Sequence, residues 1–321
     1  MSDPDGCVNG VGPLISVVMS AYRQPAFLNQ AIESVLRQTW SNIEIIVVDD
    51  ASGADFVEQY RLLPGAKLLI HDRNRATAAV NRNAGIHLST GKYIAFLDQD
   101  DQWVPEKLAW QAAIMERDAA VLLTFGHYCR IDAAGVQKDK QPETPKLQRD
   151  LLRQMIHRNI IHCPSQVMMR RTAFDTIGLF DETIRGAADW DMWIRAAAHG
   201  AIVQDSRVVT FYREHPDQWS RQGMLITTAS VRVMEKTAEW TREQRPDLAG
   251  LLRRRCGRWL REMARVQIRT PDQARPAIAT LCRALRTWPG DVQAYGLMAR
   301  ALLAASRGKG MKGGVGNVHD P

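Results

Sequence analysis

The stretch Tyr93–Trp103, YIAFLDQDDQW, places three carboxylates directly after a run of apolar residues. An apolar run of this length predicts a buried β-strand. The carboxylates of Asp98, Asp100 and Asp101 repel one another, so each of them must stay hydrated or be neutralised. A cation, or a ligand that brings one, would turn this repulsion into binding energy. The stretch therefore predicts a strand that ends at a ligand site.

Three earlier segments have the same form, a short apolar run that ends in polar residues. With the stretch above, the predicted strands are Leu14–Met19, Ile43–Val48, Ala66–His71 and Lys92–Leu97. They alternate with segments of helical periodicity, which favours a parallel sheet covered by helices on both faces. Such sheets bind ligands beyond the carboxyl ends of their strands. The acids of DDAS at 49–52 and DQDD at 98–101 should therefore lie on the same edge.

Length and composition indicate a globular protein with one large domain, or one domain and an appendage. The chain has 321 residues, 45% of them hydrophobic and 24% charged. No apolar run approaches the roughly 18–20 residues that cross a bilayer, and the acidic N-terminus does not resemble a secretory signal. The five cysteines lie far apart without a metal-ligand pair. This indicates a reducing compartment, and we expect the protein in the cytoplasm.

Charge divides the chain into two parts. Residues 224–321 contain 18 Lys and Arg against 8 Asp and Glu, a balance of +10, whereas residues 1–223 carry about −3. The second part is helical in pattern up to Ser306 and then becomes rich in glycine. We expect a flexible N-terminus at 1–12, an α/β domain at 13–223, a basic α-helical extension at 224–306 and a disordered tail at 307–321.

The basic extension has three interpretations. It is a packed helical extension with a solvated, arginine-rich surface, it contacts anionic lipid headgroups at the inner face of the membrane, or it is an oligomerisation element. Nucleic acid carries the same negative charge, but we expect no such partner. In Asp247–Arg269 the arginines fall on several helical faces, which differs from the single stripe of an interfacial helix.

An ordered set of blocks resembles the inverting family-2 glycosyltransferases of the GT-A fold, over about Pro13 to His215. The blocks are SAY at 20–22, SVLRQTW at 34–40, VVDDAS at 47–52, RNAGI at 82–86, GKYIAFLDQDD at 91–101, ADWDMWIRAA at 188–197 and YREH at 212–215. The resemblance implies an α/β GT-A fold, a Rossmann-like, mixed and mostly parallel sheet flanked by helices, here with a C-terminal helical extension. It also implies a nucleotide-diphosphate-sugar donor and a divalent metal, Mg2+ or Mn2+.

The same resemblance assigns residues to the donor. Asp50 matches the acid that hydrogen-bonds the base, and Tyr22 would flank that base. Arg82 or Asn83 would hold the nucleotide or its diphosphate. Each residue also has a structural interpretation: Asp50 as an exposed strand-end acid, Tyr22 as a partly buried ring and Arg82 as a surface cation.

Asp98 and Asp100 match the DxD pattern of the family. The resemblance places Asp98 towards the ribose and the metal, and makes Asp100 a direct metal ligand. His215, in YREH, would contact the diphosphate or the metal, although a lone histidine is more often structural. We expect Asp101 to be a solvated turn residue.

An inverting transfer needs a base that takes the proton of the acceptor hydroxyl. Asp189 matches the residue usually assigned as that base, although Ala188 stands where the family commonly has Glu. Asp189 is also placed to cap a helix at 189–199, which would be stabilising without catalysis. We expect Asp191 to support that helix.

Other residues near this region have weaker assignments. His162 would lie near the acceptor side, while Trp190 and Trp193 belong in the core. The function expected from all of this is sugar transfer to a saccharide or lipid-linked saccharide in cell-surface polysaccharide or glycan synthesis. Nucleotidyl transfer is disfavoured because the loop SAYRQPAF contains no glycine. A degenerate binding or scaffold protein is the remaining alternative.

Overall fold

The computed structural model describes residues 12–62, 64–139, 147–270 and 272–310. The chain folds into two compact units, Met1–Gln218 and Trp219–Pro321, whereas the sequence placed this boundary after residue 223. Most of the predicted flexible N-terminus and residues 311–321 of the predicted tail lie outside the described residues. The first four residues of that tail, 307–310, are helical and not disordered.

One eight-stranded sheet forms the first unit. The strands are β1 Ile15–Ala21, β2 Ile43–Asp49, β3 Lys67–Ile70, β4 Tyr93–Asp98, β5 Gln102–Trp103, β6 Val121–Ile131, β7 Val167–Arg170 and β8 Ala201–Arg213, in the order β3-β2-β1-β4-β7-β6-β8-β5. β1 pairs in parallel with β2 and β4, and β2 with β3. β7 is antiparallel to both of its neighbours. The predicted mixed, mostly parallel sheet is confirmed.

Seven helices flank this sheet in the described part of the unit: α1 Pro25–Leu36, α2 Ala54–Val57, α3 Ala78–Leu88, α4 Lys107–Arg117, α5 Leu151–His157, α6 Ala173–Ile177 and α7 Ala188–His199. The sequence from Ala54 to Leu62 predicts a helix, but α2 ends at Val57. The side chain of Asn29 accounts for this, because it bonds the backbone of Gln59 and Arg61 at 2.9 and 2.8 Å. These long-range contacts replace helical hydrogen bonds.

Close packing of α3 on β1 sets the position of the site. A Cβ atom on Gly85 would lie 2.3 Å from Cγ1 of Val18, so only glycine allows this approach. Val17, Met19 and Leu97 lie in the buried cluster beneath the sheet edge. The block RNAGI therefore packs a helix against the sheet while its first residue, Arg82, reaches the strand ends.

The second unit consists of four long helices in its described part: α8 Gly223–Gln244, α9 Ala249–Arg269, α10 Ala274–Thr287 and α11 Val292–Gly310. Ala264, Leu281 and Leu297 belong to its small core. A buried ion pair joins Arg261 to Asp291 at 2.5 Å. Among the described residues, no helix is both long enough and apolar enough to cross a membrane.

A fully buried lysine lies at the start of α4. Nζ of Lys107 donates to Oε1 of Gln111 at 2.6 Å and lies 4.2 Å from the centre of the Trp103 ring. Burial holds the pKa of Lys107 well below its usual value of 10.5, because the charged amine is poorly solvated there. The unfolded chain would bind this proton more tightly than the folded one.

Replacing Lys107 by methionine should therefore change how stability depends on pH. Between the folded-state and unfolded-state pKa values, the wild type loses about 1.4 kcal/mol of unfolding free energy for each pH unit of acidification. Lys107→Met has no such loss. The difference in unfolding free energy between this variant and the wild type should therefore grow in favour of the variant as the pH falls from 10.5. Denaturant unfolding at several alkaline pH values measures this.

The exposed lysine Lys92 provides the matched control, since Lys92→Met should show no such growth on acidification. A difference between Lys107→Met and the wild type that stays constant over the same pH range would show that the buried amine does not change its proton affinity on folding.

Candidate active site

The register of the sheet brings the two acidic segments together. Asp49, the last residue of β2, is paired with Ala21, and Asp98, the last residue of β4, with Ser20. The two acids thus flank β1 on either side at its carboxyl end. The prediction that DDAS and DQDD lie on one edge of the sheet is confirmed.

The turn after β4 exposes two of its acids and buries the third. Asp98 and Asp100 are partly exposed, whereas Asp101 is 1% exposed. Asp101 accepts hydrogen bonds from Oγ of Ser165 at 2.6 Å and from the backbone N–H of Arg213 at 3.1 Å. Burial, and then the charges of Asp100 and Asp98, raise its pKa well above the usual value. The expectation of a solvated turn residue was wrong, because these two bonds hold Asp101 inside.

Arg82 neutralises Asp98. Nη2 of Arg82 lies 2.6 Å from Oδ1 of Asp98, and both side chains are at least half buried. Burial would lower the pKa of Arg82, but the carboxylates of Asp98 and then Asp189 raise it above its usual value. The guanidinium is thus a permanent cation that interacts with two of the candidate acids.

The side chain of Asn83 hydrogen-bonds to the loop that contains Phe180 and Glu182. Its Nδ2 donates to the carbonyl of Phe180 and to Oε1 of Glu182, each at 2.9 Å, and its Oδ1 accepts from the N–H of Phe180 at 2.9 Å. Both amide hydrogens are used within the protein. Of the two residues predicted to hold the nucleotide, only Arg82 presents its side chain to the strand ends.

His215 lies against Asp100. Its Nε2 is 3.0 Å from Oδ2 of Asp100, and its buried ring lies 5.2 Å from that of Phe27. The buried guanidinium of Arg213 donates to the carbonyl of Asp100 at 2.8 Å and to Oε1 of Gln30 at 2.7 Å. The YREH block therefore fixes both the backbone and the side chain of Asp100.

Asp50 and Tyr22 lie in neighbouring loops at the same edge. Oδ1 of Asp50 accepts from the N–H of Arg75 at 2.7 Å and Oδ2 from that of Ala76 at 3.2 Å. The backbone of Tyr22 is held by Gln99, whose amide exchanges two hydrogen bonds with it, at 2.7 and 3.1 Å. The sequence prediction places these residues around a base, and the structure brings their loops beside the acidic turn.

Asp189 lies in the first turn of α7 and is not the N-cap. The helix begins at Ala188, the N-cap is Ala187, and Oδ1 of Asp189 accepts from the N–H of the next residue, Trp190, at 2.8 Å. The predicted capping role was therefore wrong. Burial raises the pKa of Asp189, the charge of Arg82 opposes this rise, and Asp98 adds to it. These mutual effects place Asp189, Arg82 and Asp98 in one electrostatic cluster.

Asp191 and the tryptophans of α7 are structural. Asp191 is buried and pairs with Arg195 at 2.9 Å, and Arg195 donates to the carbonyl of Leu179 at 2.9 Å. Trp190 donates from Nε1 to the carbonyl of Met155 at 2.8 Å, and Trp193 is fully buried. The predicted core positions of both tryptophans are confirmed.

His162 belongs to an aromatic cluster. Its exposed ring stacks on Tyr128 with a centroid distance of 4.4 Å and meets Tyr212 edge-on at 4.6 Å. Its chain neighbour Cys163 and the neighbour of Tyr212, Arg213, both lie close to the acidic turn. The cluster thus borders the site, as expected for the acceptor side, but the role of His162 in acceptor binding stays a prediction.

The donor set fits a metal ion that arrives with a phosphate ligand. Carboxylates suit Mg2+ and Mn2+, and imidazole is a common partner ligand for transition metals. Within the described ranges, no three His, Cys, Asp or Glu side chains are arranged so that they could hold an ion by themselves. Mg2+ is usually bound by one or two carboxylates together with substrate phosphates. Asp100 and His215, with Asp98 alongside, match such an open site.

Three residues that position the site escaped the sequence analysis. Ser165 bridges the acidic turn by accepting from the N–H of Asp98 at 3.0 Å and donating to Asp101. Gln99 and Arg213 lie within the quoted blocks DQDD and YREH, so those blocks could have pointed to them. Ser165 has no local signal, because its partners lie far away along the chain.

Comparison with known proteins shows the family of this chain. The model of the family described as "Glycosyl transferase family 2" matches residues 16–178. An uncharacterized glycosyltransferase of Rickettsia prowazekii is 31% identical over 216 residues, which are 65% of this chain and 67% of that protein. An uncharacterized glycosyltransferase of Rickettsia bellii is 29% identical over 217 residues, which are 31% of that protein. The Escherichia coli protein WfaP, named UDP-Glc:alpha-D-GlcNAc-diphosphoundecaprenol beta-1,3-glucosyltransferase, is 28% identical over 63% of this chain and 78% of its own length.

Solved structures share the fold. Staphylococcus aureus TarS, residues 1–349, in complex with UDP-GlcNAc superposes with a TM-score of 0.64 at 16% identity, over 93% of this chain and 88% of that one. Its complex with UDP gives a TM-score of 0.63. The predicted GT-A fold is confirmed. The family model covers half of the chain and the Rickettsia relative extends beyond it, so this chain is a glycosyltransferase of family 2.

Proposed function

We propose that the protein transfers a sugar from a nucleotide-diphosphate-sugar to a saccharide acceptor, with inversion at the anomeric carbon and with a divalent cation. One observation carries this proposal: Arg82 is paired with Asp98 and is electrostatically coupled to Asp189. Asp98, which is assigned to donor binding, and Asp189, which is assigned to the acceptor side, thus both interact with the guanidinium of Arg82. The arrangement suits a reaction in which a diphosphate leaves as a proton is removed.

The comparisons favour a UDP-sugar as the donor. WfaP is named for UDP-Glc, and the TarS structures contain UDP or UDP-GlcNAc. In this chain, Asp50 would accept a hydrogen bond from the base and Tyr22 would flank it. Asp50 retains lone pairs beyond the two backbone bonds that orient it. The two loops would then bind the nucleotide, and the acidic turn its diphosphate.

The diphosphate end brings its own negative charge to a site that contains Asp98 and Asp100. Asp100 and His215 would hold a divalent cation here, which would supply charge stabilisation for the leaving nucleotide diphosphate. Arg82 stands beside Asp98 and contributes a second positive charge without a proton that could be lost. Asp101, held by Ser165 and Arg213, keeps the turn in place.

The transfer itself needs a proton acceptor. A carboxylate oxygen of Asp189 takes the proton of the acceptor hydroxyl while that hydroxyl oxygen forms a bond to the anomeric carbon. The bond from this carbon to the diphosphate oxygen breaks with its electron pair. A raised pKa makes Asp189 a stronger base than an ordinary aspartate, and the charge of Arg82 favours its ionised form.

The acceptor is proposed to be a saccharide or a lipid-linked saccharide, as in the name of WfaP, and the role to be polysaccharide or glycan synthesis at the cell surface. The cytoplasmic location stays a prediction. Ala188, in place of the family's common Glu, is the one feature that favours a degenerate binding protein. Its buried position at the start of α7 offers no carboxylate, so all base function would rest on Asp189.

Substituting Asp189 by asparagine should abolish most turnover while donor binding persists. The amide keeps the shape of the side chain but cannot take a proton, so kcat should fall about a hundredfold or more. Initial rates at saturating donor, together with the donor-induced rise in melting temperature, measure both quantities.

Asp175→Asn is the matched control, because Asp175 is an exposed acid on the nearby helix α6. It should leave the rate unchanged. Turnover retained in Asp189→Asn would remove this residue from the mechanism, and absence of turnover in the wild type despite donor binding would favour the degenerate binding protein.

The rate should also fall on acidification. Asp189 must be ionised to act as a base, and its pKa is raised, so the acid limb of kcat should lie above the usual aspartate value of 3.8. Rates measured across mildly acidic pH, with melting curves at each pH to exclude unfolding, test this. A profile that stays flat down to pH 3.8 would contradict the assignment of Asp189 as base.

A donor screen tests the nucleotide site. UDP-, GDP- and dTDP-sugars are compared by thermal shift with Mn2+, Mg2+ or EDTA. A donor at about a hundred times its Kd adds about 2.7 kcal/mol to the unfolding free energy. We expect a metal-dependent shift with the UDP-sugar that Asp100→Asn reduces. A shift of equal size in EDTA would contradict the metal role, and no shift with any donor would contradict the donor assignment.

A further inference from the structure

Helix α11 is apolar on two opposite sides. Its inner residues Ala294, Leu297 and Ala301 are buried and belong to the core of the helical unit. On the outer side, four large apolar side chains face solvent: Val292 is 80% exposed, Tyr295 54%, Leu302 53% and Leu303 60%.

These four residues share one face of the helix, which we call the outer stripe. At about 100° per residue, positions 292, 295, 302 and 303 fall within a sector of about 100°. Nine large apolar side chains are exposed in the described ranges, and four of them are in this stripe. Apolar residues exposed singly need no explanation, whereas a group of them on one helix face marks an interaction surface.

Positive charge accompanies the outer stripe. Helix α11 contains no Asp or Glu, and the exposed Arg300 borders the stripe. Arg307 and Lys309 follow in the sequence of the same helix. An arginine beside an apolar face can lay its stem along that face and place its charge at a phosphate headgroup. Apolar area bordered by positive charge is the composition of helices that lie in a membrane interface.

We propose that the outer stripe of α11 docks on an anionic lipid bilayer, with the helix parallel to the membrane surface. The inner residues stay in the core of the unit, so the helix binds as it is folded here. The sequence predicts lipid contact only for the basic extension as a whole, and the arginines of Asp247–Arg269 fall on several helical faces. The structure assigns the contact to a different helix, where apolar exposure and positive charge coincide.

A second copy of the chain is the competing occupant. Two helices packed stripe to stripe would bring positive charges together, and neither helix has an acid to pair with them. Like charges brought together at an interface oppose association, whereas an anionic headgroup layer attracts the same charges. Charge therefore favours the lipid surface.

The proposal goes beyond sugar transfer and does not depend on it. Co-sedimentation of the full chain with vesicles tests it, using phosphatidylcholine alone or with phosphatidylglycerol, at low and high salt. The wild type should bind the anionic vesicles, and Leu302→Ser/Leu303→Ser should lower the partition constant about tenfold or more through the lost apolar area. Arg300→Gln should lower it about fivefold, at low salt only.

Leu36→Ser/Leu68→Ser is the matched control, since these exposed leucines of the first unit have 46% and 38% exposure. It should bind vesicles like the wild type. Melting curves and the donor-induced thermal shift show whether each variant is folded, independently of the lipid. Absence of wild-type binding at low salt would overturn the proposal, and so would equal binding by the serine variant of α11. A dimer that this variant dissociates would assign the stripe to a second copy instead.

Discussion

Repulsion among carboxylates at one edge of the sheet is the constraint on which the site depends. Parallel pairing of β1 with β2 and β4 forces Asp49 and Asp98 to the same edge, and the turn adds Asp100 and Asp101. Each acid of the turn has a different partner. Asp98 forms an ion pair with Arg82, Asp100 lies 3.0 Å from Nε2 of His215, and Asp101 is buried and hydrogen-bonded. Asp98 and Asp100 keep partial exposure, so the edge remains open to a ligand.

The loops around this edge are held in unusual conformations. Arg23, Ala51 and Ala76 have φ values of 50°, 59° and 52°, a left-handed region that costs about 1–2 kcal/mol for a residue with a Cβ. Hydrogen bonds from their surroundings offset this cost: Oγ of Ser52 accepts from the N–H of Arg23 at 2.8 Å, and Asp50 accepts from that of Ala76. Strain of this kind persists where the structure over-determines a backbone, commonly at functional sites. Asp50 thus positions a loop as well as presenting a carboxylate.

The sequence predicted those parts of the site that local pattern determines. Apolar runs located β1, β2 and β4, and the acids after them followed from chain order alone. Long-range contacts determine the rest. The burial of Asp101 depends on Ser165, which is distant in sequence, and the short helix α2 depends on Asn29. Aspartate favours the N-cap position, but α7 begins at Ala188, so its N-cap is Ala187 and not Asp189. Gly186, just before this N-cap, has a φ of 96°.

In the function proposed above, Asp100 and His215 would form an incomplete metal site that a nucleotide diphosphate completes. Titration of Mn2+ followed by electron paramagnetic resonance, without and with UDP, tests it most directly. We expect weak binding of Mn2+ alone and binding at least about tenfold tighter with UDP, because the diphosphate would supply oxygen ligands to an ion that Asp100 and His215 would hold. Equal Mn2+ affinity in the presence and absence of UDP would contradict the account.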